Sequence, residues 1–287
     1  MNNKLRDYTK RNLSPSPALF LGRFSITAWL ILINLVIFIV TYIIFLSNPS
    51  AIDYLALKPE YIFQGKYLWT IFTSMFMHAS FLHLFVNMFS LFFIGSFIEK
   101  VIGKKRFIWF YLAAGVFAGL FFSALSVFFG TTTIGSKIFG SPLIYALGAS
   151  GAIFGLLGLL AILTPNKKVY LIAGPLIAII LEAAISNFTS SSILSFIDVF
   201  INLYILLSIF ALFSFSNNLR KIAIPVEVSF WLLPFVAIVP LVIIGFFIEL
   251  PIGNMAHFGG LIAGLIYGIY LKIKYPRKIE MLNRMIK

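Results

Sequence analysis

The chain has 287 residues, 61% hydrophobic and 11% charged, with a mean hydropathy of +1.02. A water-soluble domain is closer to half apolar and about a quarter charged, so this composition excludes one and makes the bilayer the solvent for most of the surface. Cysteine is absent, which removes disulfides, thiol nucleophiles and cysteine–zinc sites.

Residues 1–23 are polar and basic and are expected to be a cytoplasmic N-terminus. The apolar run at 24–46 is too long for the hydrophobic region of a signal peptide and lacks a small-residue cleavage site, so it reads as a retained first span. Further apolar segments follow at 70–98, 106–129, 150–164, 169–186, 193–215, 226–248 and 255–273. Each approaches or exceeds the roughly 20 residues that a spanning helix needs. The fourth is short, bounded by Gly148 and Pro165. The longer loops are 47–69 and 130–149, the second rich in Gly, Ser and Thr. Residues 274–287 form a basic tail, and no soluble domain is expected on either side of the membrane part.

The net charge of +13 invites a nucleic-acid reading, but its distribution excludes one. With the N-terminus inside, all but three of the 22 Lys and Arg residues fall on the cytoplasmic side; Lys58, Lys66 and Lys137 are the exceptions. That asymmetry is the positive-inside rule. It predicts an even number of spans, both termini in the cytoplasm, and basic residues set against anionic lipid.

The only histidines are His78, His83 and His257. All lie in or beside membrane segments, near the outer ends in this topology, where ionisable groups are costly and usually functional. His83 and Asn87 are four residues apart and share a helical face; by themselves they read as interhelical hydrogen-bonding groups worth about 1 kcal/mol. Gly148-Ala149-Ser150-Gly151 stands where a loop becomes the fourth segment. A helix N-terminus there offers unpaired N–H groups suited to an oxyanion; by itself the glycine pattern reads as a packing face. His257 opens the last segment, followed by Gly259, Gly260, Gly264 and Gly268. If those glycines meet Gly151, Gly155 and Gly158, Ser150 and His257 become neighbours, the minimum for nucleophilic catalysis.

Three stretches, FTSMFMHASFLHLFVNMFSLFFIGSFIEKVIG (72–103), GASGAIFGLLG (148–158) and AHFGGLIAGLIYG (256–268), resemble the rhomboid family of intramembrane serine proteases in order, spacing and placement. The resemblance implies an all-α polytopic bundle with a six-helix core. It implies Ser150 as nucleophile, His257 as general base, and His83, Asn87 and the Ser150 N–H as the oxyanion hole. Gly148 would keep the serine turn open, and Phe154 would pack on the catalytic imidazole. His78 looks structural or water-organising, and Glu99 and Gly103 structural. The implied activity is cleavage of single-span transmembrane protein substrates near the outer leaflet through an acyl-enzyme. No cofactor or metal is expected, since HExxH and GxGD are both absent. A silent relative that binds client transmembrane helices is the alternative. The absence of targeting signals points to a prokaryotic plasma membrane.

Two departures stand out. The family commonly has Trp-Arg in the first outer loop, where this chain has Trp69-Thr70. About ninety residues separate Pro165 from His257, where the core needs one helix and the chain has three apolar segments. A two-helix insertion within 166–250 keeps the parity and leaves 169–186 or 226–248 as the core fifth helix. Asp198 and Glu182 are carboxylates inside this stretch, with Asn202 a polar neighbour of Asp198.

Overall fold

The N-terminus of the first helix is held by a carboxylate from the second span. In the computed structural model, which describes residues 25–185, 191–212, 216–247 and 253–285, helix α1 (Ile26–Ser47) starts at Ser25, whose Oγ accepts from the Ala28 N–H at 3.0 Å. The Ile26 and Thr27 N–H groups donate to the Glu99 carboxylate at 2.8 Å each, and Thr27 Oγ1 donates at 2.7 Å. A carboxylate at this end satisfies orphan donors and complements the helix dipole. The stretch 1–23 lies outside the described residues.

The loop after α1 carries a 3₁₀ turn (Pro49–Tyr54) and the short helices α2 (Pro59–Phe63) and α3 (Thr70–Thr73). It is anchored without the missing arginine. Trp69 Nε1 donates to the Tyr54 carbonyl at 2.8 Å, Thr73 Oγ1 to the Leu55 carbonyl at 2.9 Å, and Leu57 pairs antiparallel with Ala146.

The second span begins later than the apolar run at 70–98 implies. Ser80 caps α4 (Phe81–Ser90) by accepting from the His83 N–H, so residues 70–80 stay in the loop. A π turn (Leu91–Gly95) joins α4 to α5 (Ser96–Ile102), giving one continuous 22-residue span. Gly103, at φ +85°, turns the chain into α6 (Lys104–Phe129); that left-handed conformation favours glycine. The loop after α6 contains α7 (Thr133–Phe139) and leads into α8 (Ser150–Leu163).

Helix α8 is the hub. Eleven of its 14 residues are buried, and it packs on α4, α6 and α13 (Asn254–Lys274). Its length of about 21 Å is well short of a hydrocarbon core of about 30 Å. The α8–α13 contact is backbone to backbone: a Cβ at Gly260 would overlap the Gly151 carbonyl oxygen, and one at Gly264 the Gly155 carbonyl oxygen. The last helix, α14 (Pro276–Met285), closes the other end of α8, where Asn283 Nδ2 donates to the Leu163 carbonyl at 2.8 Å.

The long connection from α8 to α13 contains a feature absent from the sequence reading. Strand β1 (Lys168–Ile172) pairs antiparallel with β2 (Pro225–Ser229), Lys168 opposite Ser229 and Ile172 opposite Pro225. The apolar segments at 169–186 and 226–248 therefore open as strands. Val169, Leu171 and Val228 alternate with Lys168, Tyr170 and Glu227, the period of two that suits a pleated surface. The apolar face packs on Leu157 of α8, Ile94 and Leu233, and Lys168 pairs with Glu227 at 2.9 Å on the other face.

Between the strands run α9 (Ala173–Ile185), α10 (Ser191–Leu212) and α11 (Asn217–Ile222). Helices α9 and α10 pack chiefly on each other, with a Phe210–Phe85 ring contact reaching α4. Asp198 is exposed on α10 and makes no bond to Asn202; the side chain of Glu182 lies outside the described residues. After β2, helix α12 (Leu233–Phe247) packs against α7, α8 and α13.

Among the described residues five helices are long and apolar enough to cross a membrane: Ile26–Ser47, Phe81–Ile102, Lys104–Phe129, Ser192–Ala211 and Asn254–Lys274. The outward faces of α1 and α10 expose rows of Leu, Ile, Val and Phe, as lipid-facing helices require. The chain is an all-α, multi-pass integral membrane protein.

Candidate active site

Ser150 is the first residue of α8, and the turn that delivers it is set by Gly148. Gly148 has φ +126°, and its N–H donates to the Ser74 carbonyl at 2.9 Å. A Cβ there would sit 3.0 Å from the His83 ring and 3.7 Å from Ser150 Oγ. A side chain would be strained in this backbone conformation and would fill the gap between the two functional groups.

His257 stands in the first turn of α13, and its Nε2 lies 2.8 Å from Ser150 Oγ. The glycine contact between α8 and α13 produces this distance. The Phe154 ring, one turn after Ser150, stacks on the imidazole at 4.2 Å and 3° between planes. His257 Nδ1 has no hydrogen-bond partner among the described residues, so the pair has no carboxylate third member there. A neutral ring with its proton on Nδ1 leaves Nε2 free to accept from the serine.

His83 faces the same space. The Ala79 N–H approaches its Nδ1 at a long 3.5 Å, an arrangement that puts the ring proton on Nε2, on the edge of the ring that faces Gly148. Asn87 is placed differently. It is buried, and its Nδ2 donates to the His83 carbonyl at 2.9 Å, a bond along its own helix, and Asn87 is not among the cavity-lining residues. His78 is buried with both ring nitrogens unpartnered among the described residues, its ring edge-on to His83 with centroids 5.0 Å apart.

Ser150, His257 and His83 line a cavity of about 500 Å³ whose wall is completed by α6, the start of α13, the loops around α7 and residues 144–148. The first N–H groups of α8 have no acceptor within the helix and lie at its base. On the rim, Tyr145 donates to the Asp53 carboxylate. That bond, with burial, pushes the Tyr145 phenol up to about 12, so it remains a neutral donor linking the loop after α1 to the loop before α8. Lys58 lies over the Tyr61 ring at 4.5 Å and the Tyr145 ring at 5.6 Å. Tyr145 did not stand out in the sequence, and Lys137 stood out only as one of three exceptions to the charge asymmetry. Their signal is their place in the loop running into Ser150.

Residues 65–204 match the Rhomboid domain model, a stretch that includes His78, His83, Asn87 and Ser150 and ends before His257. The chain is 34% identical over 126 residues to the rhomboid protease GluP of Bacillus subtilis, covering 44% of this chain and 22% of that protein. It is 35% identical over 91 residues to the putative rhomboid protease YdcA of the same organism, covering 31% and 38%. It is also 32% identical over 137 residues to the inactive RHOMBOID-like protein 8 of Arabidopsis thaliana, covering 47% and 34%. The aligned regions thus span well under half of these relatives.

Proposed function

The chain belongs to the rhomboid family, and from that premise we propose that it is an intramembrane serine endopeptidase acting on single-span transmembrane proteins near the outer leaflet. The observation that carries the reading is the 2.8 Å contact between Ser150 Oγ and His257 Nε2, inside a cavity shared with His83. In the proposed reaction His257 takes the hydroxyl proton while Ser150 Oγ attacks the scissile carbonyl. The His83 Nε2–H and the N–H groups at the start of α8 hold the developing oxyanion. His257 then protonates the leaving amine, and water releases the acyl group. Phe154 fixes the plane of the base, Gly148 keeps the approach to Ser150 open, His78 supports the His83 ring, and Asn87 holds the helix that carries His83.

The six-helix core in this reading is α1, α4–α5, α6, α8, α12 and α13. Helix α12 touches the helices bearing the dyad, which supports it as the core fifth helix, and α9–α11 is the insertion closed by the β1–β2 ribbon. Both termini are cytoplasmic, in a prokaryotic plasma membrane.

A relative named inactive favours one rival, a silent protein that binds client helices. The two part on a single measurement. Detergent-purified protein should be labelled by a fluorophosphonate and should cleave a model transmembrane substrate, and Ser150→Ala and His257→Ala should each abolish both. Labelling that survives Ser150→Ala, or wild-type protein that neither labels nor cleaves, rejects the protease reading.

A further inference from the structure

Three cations, Lys58, Lys66 and Lys137, fall on the outer side of the membrane in the charge count, against the trend of the other Lys and Arg residues. Two have an ordinary setting. Lys58 pairs with Glu60 at 3.7 Å and lies over the Tyr61 ring, and Lys66 is exposed. Lys137 differs. It is half-buried in the last turn of α7 and lines the cavity that holds Ser150 and His257. It is the only Lys, Arg, Asp or Glu lining that cavity among the described residues, and it makes no ion pair there with any described carboxylate. A position at a helix C-terminus suits a cation, but it does not account for a cation on the wall of the cavity that holds Ser150 and His257. Ser136 and Ser141 beside it supply hydroxyls on the same wall.

We propose that Lys137 is a specificity-determining residue that pairs with an Asp or Glu side chain of the substrate close to the scissile bond. The inference rests on the protease reading above. A fixed cation in a partly desolvated cavity attracts a carboxylate more strongly than one in bulk water and acts mainly by discriminating between partners. The occupant is a substrate carboxylate rather than a lipid headgroup because Lys137 shares its cavity with the nucleophile, where the cleaved strand must lie.

The test uses the full-length protein in an uncharged detergent. Model single-span substrates carry one Asp, or the isosteric Asn, at each position from six before to six after the scissile bond. The readout is the Asp/Asn ratio of kcat/KM at each position. Wild type should show a ratio of about three to ten at one or two adjacent positions, the range of a half-exposed ion pair. Lys137→Gln should bring it to about one, Lys137→Glu should drop it below one, and a Lys or Arg in the substrate at that position should restore turnover by the charge-reversed variant. Lys66→Gln should leave the ratio at its wild-type value. Glu249 precedes α13 in the sequence and lies outside the described residues; Glu249→Gln should leave the preference standing. The proposal is overturned by a wild-type ratio near one everywhere while Asn substrates are cleaved, by a ratio that follows Glu249 instead of Lys137, or by a preference that appears only when anionic lipid is added. Absence of cleavage of every substrate is a different result: it rejects the protease reading, and this proposal with it.

Discussion

Gly260→Ala tests whether the glycine contact between α8 and α13 is what makes the Ser150–His257 pair. The added methyl would overlap the Gly151 carbonyl oxygen, one residue from the nucleophile. The obstacle is backbone in the first turn of a buried helix, so no side chain can swing aside. Restoring an ordinary van der Waals contact requires the two helices to part by roughly 1.5 Å. The Ser150 Oγ to His257 Nε2 distance, now 2.8 Å, would open to about 4 Å, beyond hydrogen-bonding range. A misplacement of about 1 Å costs on the order of 10²-fold in rate, and overpacking costs about 1–3 kcal/mol of stability. The assay is fluorophosphonate labelling rate and substrate cleavage by protein that remains monodisperse in size-exclusion chromatography. Gly268→Ala is the comparison, because the atoms nearest its methyl belong to the Ile162 side chain, near the C-terminal end of α8 and away from Ser150; at equal stability loss it should keep far more of the rate than Gly260→Ala. A folded Gly260→Ala protein that labels and cleaves at the wild-type rate would refute the argument.

His83→Ala should lower kcat by about 10²–10³-fold with a smaller change in KM, as loss of one oxyanion donor does; an effect confined to KM would count against that role. Phe154→Ala removes the ring stacked on His257 and should slow turnover by up to about tenfold, equivalent to a stacking energy of about 0.5–1.5 kcal/mol. Phe154→Tyr should retain most of the rate, and equal loss in both variants would show that stacking is not the cause. Glu99→Gln weakens the three bonds that hold the start of α1 and should destabilise the protein by about 1–3 kcal/mol. Thermal unfolding in detergent reads this directly, and unchanged stability would mean that Ser25 alone caps the helix.

The sequence alone determined the class of protein and the chemistry worth looking for. Sustained apolar runs have one physical solution in a bilayer, the helix that bonds its own backbone. The glycines at 151, 155, 158, 260 and 264 announced a helix pair that packs without side chains, so the approach of Ser150 to His257 was legible before any coordinates. Other features depended on partners distant in the chain. Asn87 could be aligned with His83 by its spacing, but only the packed helix shows one of its amide N–H groups bonded to the His83 carbonyl. The strands at 168–172 and 225–229 lie inside apolar runs that read as helix, because composition sets burial while strand pairing depends on a partner more than fifty residues away. Which apolar segment packs on α8 and α13, and which loop cation lines the cavity, were likewise decided by tertiary packing. Both depend on where one surface meets another, and a linear order of residues does not specify that.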